Sequence, residues 1–173
     1  MKIYIVGPVS SGKSTLAKLL SERLAIPCAF LDEVVHIPDP ASPCGNRSRT
    51  AEERDGLFHS IIHQPAWIIE DVGRPCFEAG MKEADAVLLL DIPARIRKYR
   101  IVKRWIKQKI GAEACDYHPQ LRMLKAMFQW TEAYDSGRDG LKKRITVYQK
   151  KVVVLKSNQD IREYLERNVG QGH

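Results

Sequence analysis

Four cysteines, Cys28, Cys44, Cys76 and Cys115, are scattered along the chain without a C-x-x-C pair, which excludes a zinc ribbon and a dithiol redox motif and leaves reduced thiols as the expectation. No apolar run approaches the roughly 20 residues that a membrane-spanning helix needs, so no membrane partner is expected. Met1-Lys2-Ile3 runs directly into the first strand pattern, leaving no room for a cleavable signal, and a cytoplasmic protein is expected. Acidic residues are missing altogether between Asp91 and Glu113, where Arg95, Arg97, Lys98, Arg100, Lys103, Arg104, Lys107 and Lys109 crowd one helical stretch. The net charge of +7 and the pI near 9.3 call for an anionic partner. No helix-turn-helix or zinc module accompanies them, so any nucleic-acid binding is expected to be weak and non-specific. His36, His59, His63 and His118 show no metal-ligand spacing beyond the i, i+4 pair His59 and His63, which lacks a third ligand.

What is present is a complete phosphate loop. Gly7, Pro8, Val9, Ser10, Ser11, Gly12, Lys13 and Ser14 spell G-x-x-x-x-G-K-[ST], followed by Thr15 and preceded by the apolar run Ile3-Tyr4-Ile5-Val6. A strand, a glycine turn and a helix N-terminus in that order let successive backbone N–H groups converge on a phosphate. Lys13 can reach the β- and γ-phosphates, and the Ser14 hydroxyl can ligate Mg²⁺. ATP and Mg²⁺ are the expected cofactors.

The rest of the chain alternates β and α patterns. Strands are expected over about 2–6, Cys28–Leu31, Ala66–Glu70, Ala86–Leu90 and Val152–Leu155. The first helix runs from Lys13 to about Arg23. The stretch 37–50, with three prolines and Gly45, reads as a mobile loop, and Thr50 with Glu53 then forms a capping pair for a helix ending near His63. This alternation predicts an α/β fold with a parallel sheet covered on both faces, with ligands beyond the carboxyl ends of the strands. At 173 residues a single domain is expected over 1–173.

Three strand ends deliver polar groups to that edge. The first gives the loop, the second Asp32, and the third Glu70 and Asp71 with Arg74 just beyond. Either acid of the Glu70-Asp71 pair can serve the metal or its water shell. In the basic helix from Pro93 to Ile110, Ile96, Tyr99, Val102 and Ile106 are expected to face the sheet, with Arg100 and Arg104 stacked outward as a phosphoryl clamp. Arg47 and Arg49 are candidates for an anionic group of the acceptor, and Met123, Met127, Trp130 and Tyr134 form a stripe expected in the core.

Trp67-Ile68-Ile69-Glu70 leading to Arg74, Ala84-Asp85, Leu88-Leu89-Leu90-Asp91-Ile92-Pro93, Leu31-Asp32 with His36, Tyr99-Arg100-Ile101-Val102-Lys103-Arg104 and Val153-Val154-Leu155-Lys156-Ser157 together resemble the bacterial DNA topology modulation (FlaR-type) proteins. These are a branch of the P-loop nucleoside and nucleotide kinases related to adenylate kinase. The resemblance implies a P-loop NTPase with a five-stranded sheet in the order 2-3-1-4-5, an acceptor-binding insert within about 33–64 and a basic helical lid within about 94–140. It also implies backbone contacts to adenine near Lys156-Ser157-Asn158. Adenylate kinases carry Asp-Gly-Phe-Pro-Arg after the third strand, the arginine gripping the acceptor phosphate; here the matching positions read Glu70-Asp71-Val72-Gly73-Arg74. Aspartate replaces the glycine, and the arginine is kept.

The sequence therefore predicts a Mg²⁺-ATP-dependent phosphotransferase acting on a small acceptor. Lys13, Ser14 and the loop amides would bind nucleotide and metal, Arg100 and Arg104 would clamp charge, and Asp32 and Arg74 would address the acceptor. An alcohol acceptor needs a base, Asp32 with His36 as helper; a nucleotide acceptor needs Arg74 more. The competing expectations are a DNA-associated P-loop NTPase and a switch without an acceptor.

Overall fold

The computed structural model describes residues 1–42, 45–113 and 120–169; Cys44, Cys115 and His118 lie outside them. Five parallel strands form the central sheet: β1 (Lys2–Val6), β2 (Cys28–Phe30), β5 (Trp67–Asp71), β6 (Ala86–Leu90) and β7 (Val152–Leu155). A separate antiparallel hairpin joins β3 (His36–Pro38) to β4 (Asn46–Ser48). The sheet order is β2-β5-β1-β6-β7, the order implied by the resemblance. Apart from His36 the paired residues fall within 37–50, the stretch expected to be a mobile loop, and their backbone pairing corrects that expectation.

Side chains of β1 alternate between two cores, as the two-residue period of a strand requires. Ile3 and Ile5 pack with Ile68, Leu88 and Leu90 under Leu16, Ala17 and Leu20 of α1 (Lys13–Leu24) and Leu165 of α8 (Asn158–Val169). Tyr4 and Val6 turn to the other face, with Ile69, Val87 and Leu89. There they meet Val34 of α2 (Leu31–Val35), Phe58 of α3 (Ala51–Ile62) and Met81 of α4 (Glu78–Glu83). The α3 N-terminus is closed by the anticipated capping box, in which Glu53 N–H donates to Thr50 Oγ1 at 3.2 Å and Thr50 N–H donates to the Glu53 carboxylate at 2.9 Å.

After β6 the chain forms α5 (Ala94–Lys109), α6 (Leu121–Asp135) and α7 (Leu141–Ile145). The outward-facing assignment of α5 is reversed: Arg97, Ile101 and Gln108 are buried, while Ile96, Tyr99, Val102 and Ile106 are exposed. Two positions, Arg97 and Ile101, explain this. Arg97 is fully buried, its Nε donating to Ile92 O at 2.8 Å, its guanidinium paired with Asp135 and lying over the Tyr134 ring at 5.3 Å. That anchor and Ile101 point the helix inward, and the aliphatic stripe is left outside. On α6, Tyr134 is buried as expected, but Trp130 is exposed and the two methionines are half-buried. Among the described residues no helix is long and apolar enough to cross a membrane.

Candidate functional site

Gly7 leaves β1 with a φ of 154°, its ideal Cβ position 2.7 Å from Leu90 O of the neighbouring strand. Only a residue without a side chain lets the loop turn against β6 here. The loop then passes through Ser10 and Gly12, both with positive φ, and Gly12 caps the start of α1. Lys13, the first residue of that helix, folds its side chain back over the loop: Nζ donates to Pro8 O at 3.1 Å and lies 3.3 Å from the Glu70 carboxylate. Both side chains are more than nine-tenths buried. Burial pushes the Glu70 carboxyl above the ordinary carboxylate range, with Lys13 pulling the other way. Ser11 Oγ is buried in the loop without a hydrogen-bond partner, while Ser14 and Thr15 are exposed at the helix start.

On β5, the strand paired directly with β1, Asp71 organises a second cluster. Its carboxylate accepts from Tyr4 Oη at 3.2 Å, from the backbone N–H groups of Gly73 and Arg74 at 2.8 and 2.7 Å, and from Arg74 Nη1 at 2.7 Å. Burial, then Asp71, raises the Tyr4 phenol well above its ordinary pKa, so it stays a donor. Arg74 is shared: its other amino group pairs with Asp32, whose side chain is 62% exposed. Asp32 sits in the first turn of the short helix α2, directly after β2, where it pairs with Arg74 beyond the end of β5. The sequence placed Glu70 and Asp71 as alternatives for one task. In the structure Glu70 belongs with Lys13 and the phosphate loop, and Asp71 is saturated by four donors at the start of the turn after β5.

The remaining candidates divide. Arg100 reaches back over the phosphate loop, Nη1 donating to Ser11 O at 3.0 Å and to Ser10 O at 3.4 Å, and Nη2 to Asn158 Oδ1 at 3.0 Å. Arg104 does not join it; Arg104 pairs with Glu113 at 3.1 Å, both half-exposed. His36 turns its ring to Ser48, Nδ1 3.4 Å from Oγ, and only its backbone N–H meets Asp32. Arg47 is exposed on β4, and Arg49 ties its backbone to Val35 O at 2.8 Å. Arg144 of α7 escaped sequence reasoning altogether. Its guanidinium donates to Gly73 O, while Leu141 fills the space beside Gly73, whose φ is 95°. Only the basic run 142–144 marks that stretch in the sequence.

The residues fit a nucleotide phosphate: the loop offers an unpartnered buried hydroxyl, a helix N-terminus and a lysine held over the same turn. Among the described residues no three His, Cys, Asp or Glu side chains converge as a metal cage. A divalent ion that keeps its waters and phosphate oxygens, with one or two protein ligands, suits this arrangement better than a protein-only cage.

No protein-family model matches the chain, and no curated protein matches it. Solved structures do. They share the α/β P-loop fold of this chain. Shikimate kinase from Aquifex aeolicus is 20% identical, with 96% of this chain and 95% of that chain covered and a TM-score of 0.52. Shikimate kinase from Acinetobacter baumannii in complex with shikimate is 18% identical over 96% and 89% of the two chains, at a TM-score of 0.55. A gluconokinase from Sinorhizobium meliloti is 14% identical over 99% and 97%, at 0.50.

Proposed function

We propose that this protein is a cytoplasmic Mg²⁺-ATP-dependent kinase whose acceptor is a small alcohol rather than a nucleotide. The observation that carries the reading is the division of charge between the two clusters. Lys13 and Arg100 lie over the phosphate loop, while Arg74 is held between Asp32 and Asp71. An arginine neutralised by two carboxylates is a poor grip for an acceptor phosphate. The exposed Asp32 carboxylate is instead free on one side to accept a hydroxyl hydrogen and take its proton. The structural neighbours, shikimate kinases, a sugar kinase and a gluconokinase, support a hydroxyl acceptor.

On this reading residues 7–15 bind ATP, and Ser14 and Glu70 would hold Mg²⁺, an ion that supplies charge neutralisation on the phosphates. Arg100 stabilises the transferring group, and Arg74 positions Asp32. Arg104 joins the phosphates only if α5 closes further. The reading treats 1–173 as one kinase-like unit of the FlaR-type branch, with 33–64 as the acceptor side and 94–140 as the lid. The test is acceptor-stimulated ADP release across polyols, hydroxy acids, nucleosides and nucleoside monophosphates. Stimulation by an alcohol and none by a monophosphate is expected. Stimulation by monophosphates alone would give Arg74 the phosphate-gripping role, and no stimulation by any acceptor would favour a switch or DNA-associated NTPase.

A further inference from the structure

α5 has two opposite faces, and only one is used by the fold. Ile101, Arg97 and Gln108 are buried, whereas Ile96, Tyr99, Val102, Ile106 and Ile110 are exposed by 36%, 66%, 37%, 48% and 72%. At about 100° per residue, Tyr99 and Ile106 point some 140–160° away from Ile101, and Ile110, the exposed residue that caps the helix, follows them, so this stripe is the outermost line of the helix. A row of branched aliphatics in that position contributes nothing to this chain's core and marks an interaction surface. Its spacing is specific: Ile96, Tyr99, Lys103, Ile106 and Ile110 recur at steps of 3, 4, 3 and 4, the seam of a two-helix coiled coil with one charged residue in it. Arg95, Lys107 and Lys109, all exposed, flank the seam, and Val102 widens it.

We propose that the outer face of α5 docks an acidic amphipathic helix of another protein, with apolar residues on Ile96, Tyr99, Ile106 and Ile110 and a carboxylate opposite Lys103. Charge selects this occupant. A second copy of the chain would set basic flank against basic flank. A nucleic acid would meet aliphatic side chains where it needs cations along its backbone. A lipid surface would have to take up Lys103 in the middle of the exposed stripe, where its ammonium lies 5.9 Å from the Tyr99 ring centroid. In a helical seam a single lysine is accommodated and fixes the register of an acidic partner. The inference uses nothing at the phosphate loop and stands apart from the kinase reading.

The probe is a fluorescein-labelled peptide of about three heptads with leucine at the seam positions, glutamate at the flanks and one glutamate to meet Lys103, with a lysine-flanked peptide as control. Anisotropy with the full chain should show saturable binding of the acidic peptide, weakened by salt, and none of the basic one. Ile106→Glu and, separately, Tyr99→Glu should each weaken it at least about tenfold, a difference of about 1.4 kcal/mol, while thermal melts stay at the wild-type midpoint. The proposal is overturned if the acidic peptide does not bind, if both peptides bind alike, or if neither substitution matters. It is equally overturned if the substitutions abolish self-association in sedimentation velocity or co-sedimentation with phosphatidylserine vesicles while leaving peptide binding intact.

Discussion

Lys13 Nζ lies 3.3 Å from the Glu70 carboxylate, and both side chains are almost entirely withdrawn from solvent. The motif lysine is thus a structural ion, beside the phosphate-binding role proposed for it. Lys13→Ala should lower ATP turnover by orders of magnitude, and it should also destabilise the fold, because Glu70 is left buried without its cation. The carboxyl is already held above its ordinary pKa by burial, and losing Lys13 raises it further. A raised carboxyl pKa means the folded state binds the proton more tightly, so the variant should gain stability as pH falls through that pKa. Melting from pH 8 to pH 5 checks this: the gap between variant and wild type should narrow toward pH 5, and Lys13→Ala/Glu70→Gln should remove the dependence. A variant as stable as wild type at pH 8 contradicts the coupling.

Arg74 and Asp32 should separate kinetically. Arg74→Ala is expected to cost roughly 2–4 kcal/mol in kcat/KM for the acceptor with ATP affinity nearly unchanged, plus a stability loss because Asp71 keeps a buried charge. Asp32→Asn keeps a partner for Arg74 but cannot take a proton, and should lower kcat about 10²–10⁴-fold with little change in stability. Calorimetric ATP binding, acceptor-dependent ADP formation and melts on both variants decide it. Equal loss of ATP binding in the two would move this cluster to the nucleotide site.

Arg97 predicts a stability effect without a direct chemical one. Its guanidinium is buried against Ile92 O, Asp135 and the Tyr134 ring, fastening α5 and α6 to the end of β6. Arg97→Met keeps most of the volume and removes the charge, and should cost about 2–3 kcal/mol, less than a fully buried pair because Asp135 can turn to water. Denaturant midpoints at constant m-value measure it; a shift below about 0.5 kcal/mol would show that packing alone holds the helix.

The parts legible in the sequence were those specified locally. The G-x-x-x-x-G-K-[ST] turn, the apolar runs of the sheet and the Thr50–Glu53 cap each need only neighbouring residues, and the structure contains all of them. The α5 orientation was misread because periodicity identifies two faces of a helix and not which one is buried; a desolvated arginine with an aspartate on another helix outweighed a row of aliphatics. Asp32 moved into a five-residue helix that carries no capping signal, its N-cap being Phe30 without a side-chain bond. Arg144's approach to Gly73 is a contact over 71 residues that no local pattern records.

Thiol chemistry offers a test of the fold around Glu70. Burial, followed by the Glu70 and Glu33 charges, pushes the Cys28 thiol up to about 11, while Cys76 is exposed. At pH 8 iodoacetamide should modify Cys76 at least about tenfold faster than Cys28, since only the thiolate attacks. Peptide mapping by mass spectrometry reads both sites in one sample. Comparable rates would mean that β2 does not pack as described.

Arg100 and Arg104 were paired in the sequence as one clamp, and the structure assigns them different neighbours. Arg100 donates to the carbonyls of Ser10 and Ser11, which fixes its guanidinium over the phosphate loop. On the proposed kinase reading, nucleotide would bring negative oxygens to that same guanidinium, and the interaction would strengthen as charge spreads over the transferring group. Arg100→Ala should therefore lower kcat by about two to three decades while ATP affinity falls less. Arg104, paired with Glu113 at the surface, should change kcat less than about threefold on substitution by alanine. Single-turnover rates with saturating ATP compare them directly. Matched losses in the two variants would show that α5 turns inward during the reaction and brings Arg104 to the phosphates; a silent Arg100→Ala would remove the lid helix from the chemistry.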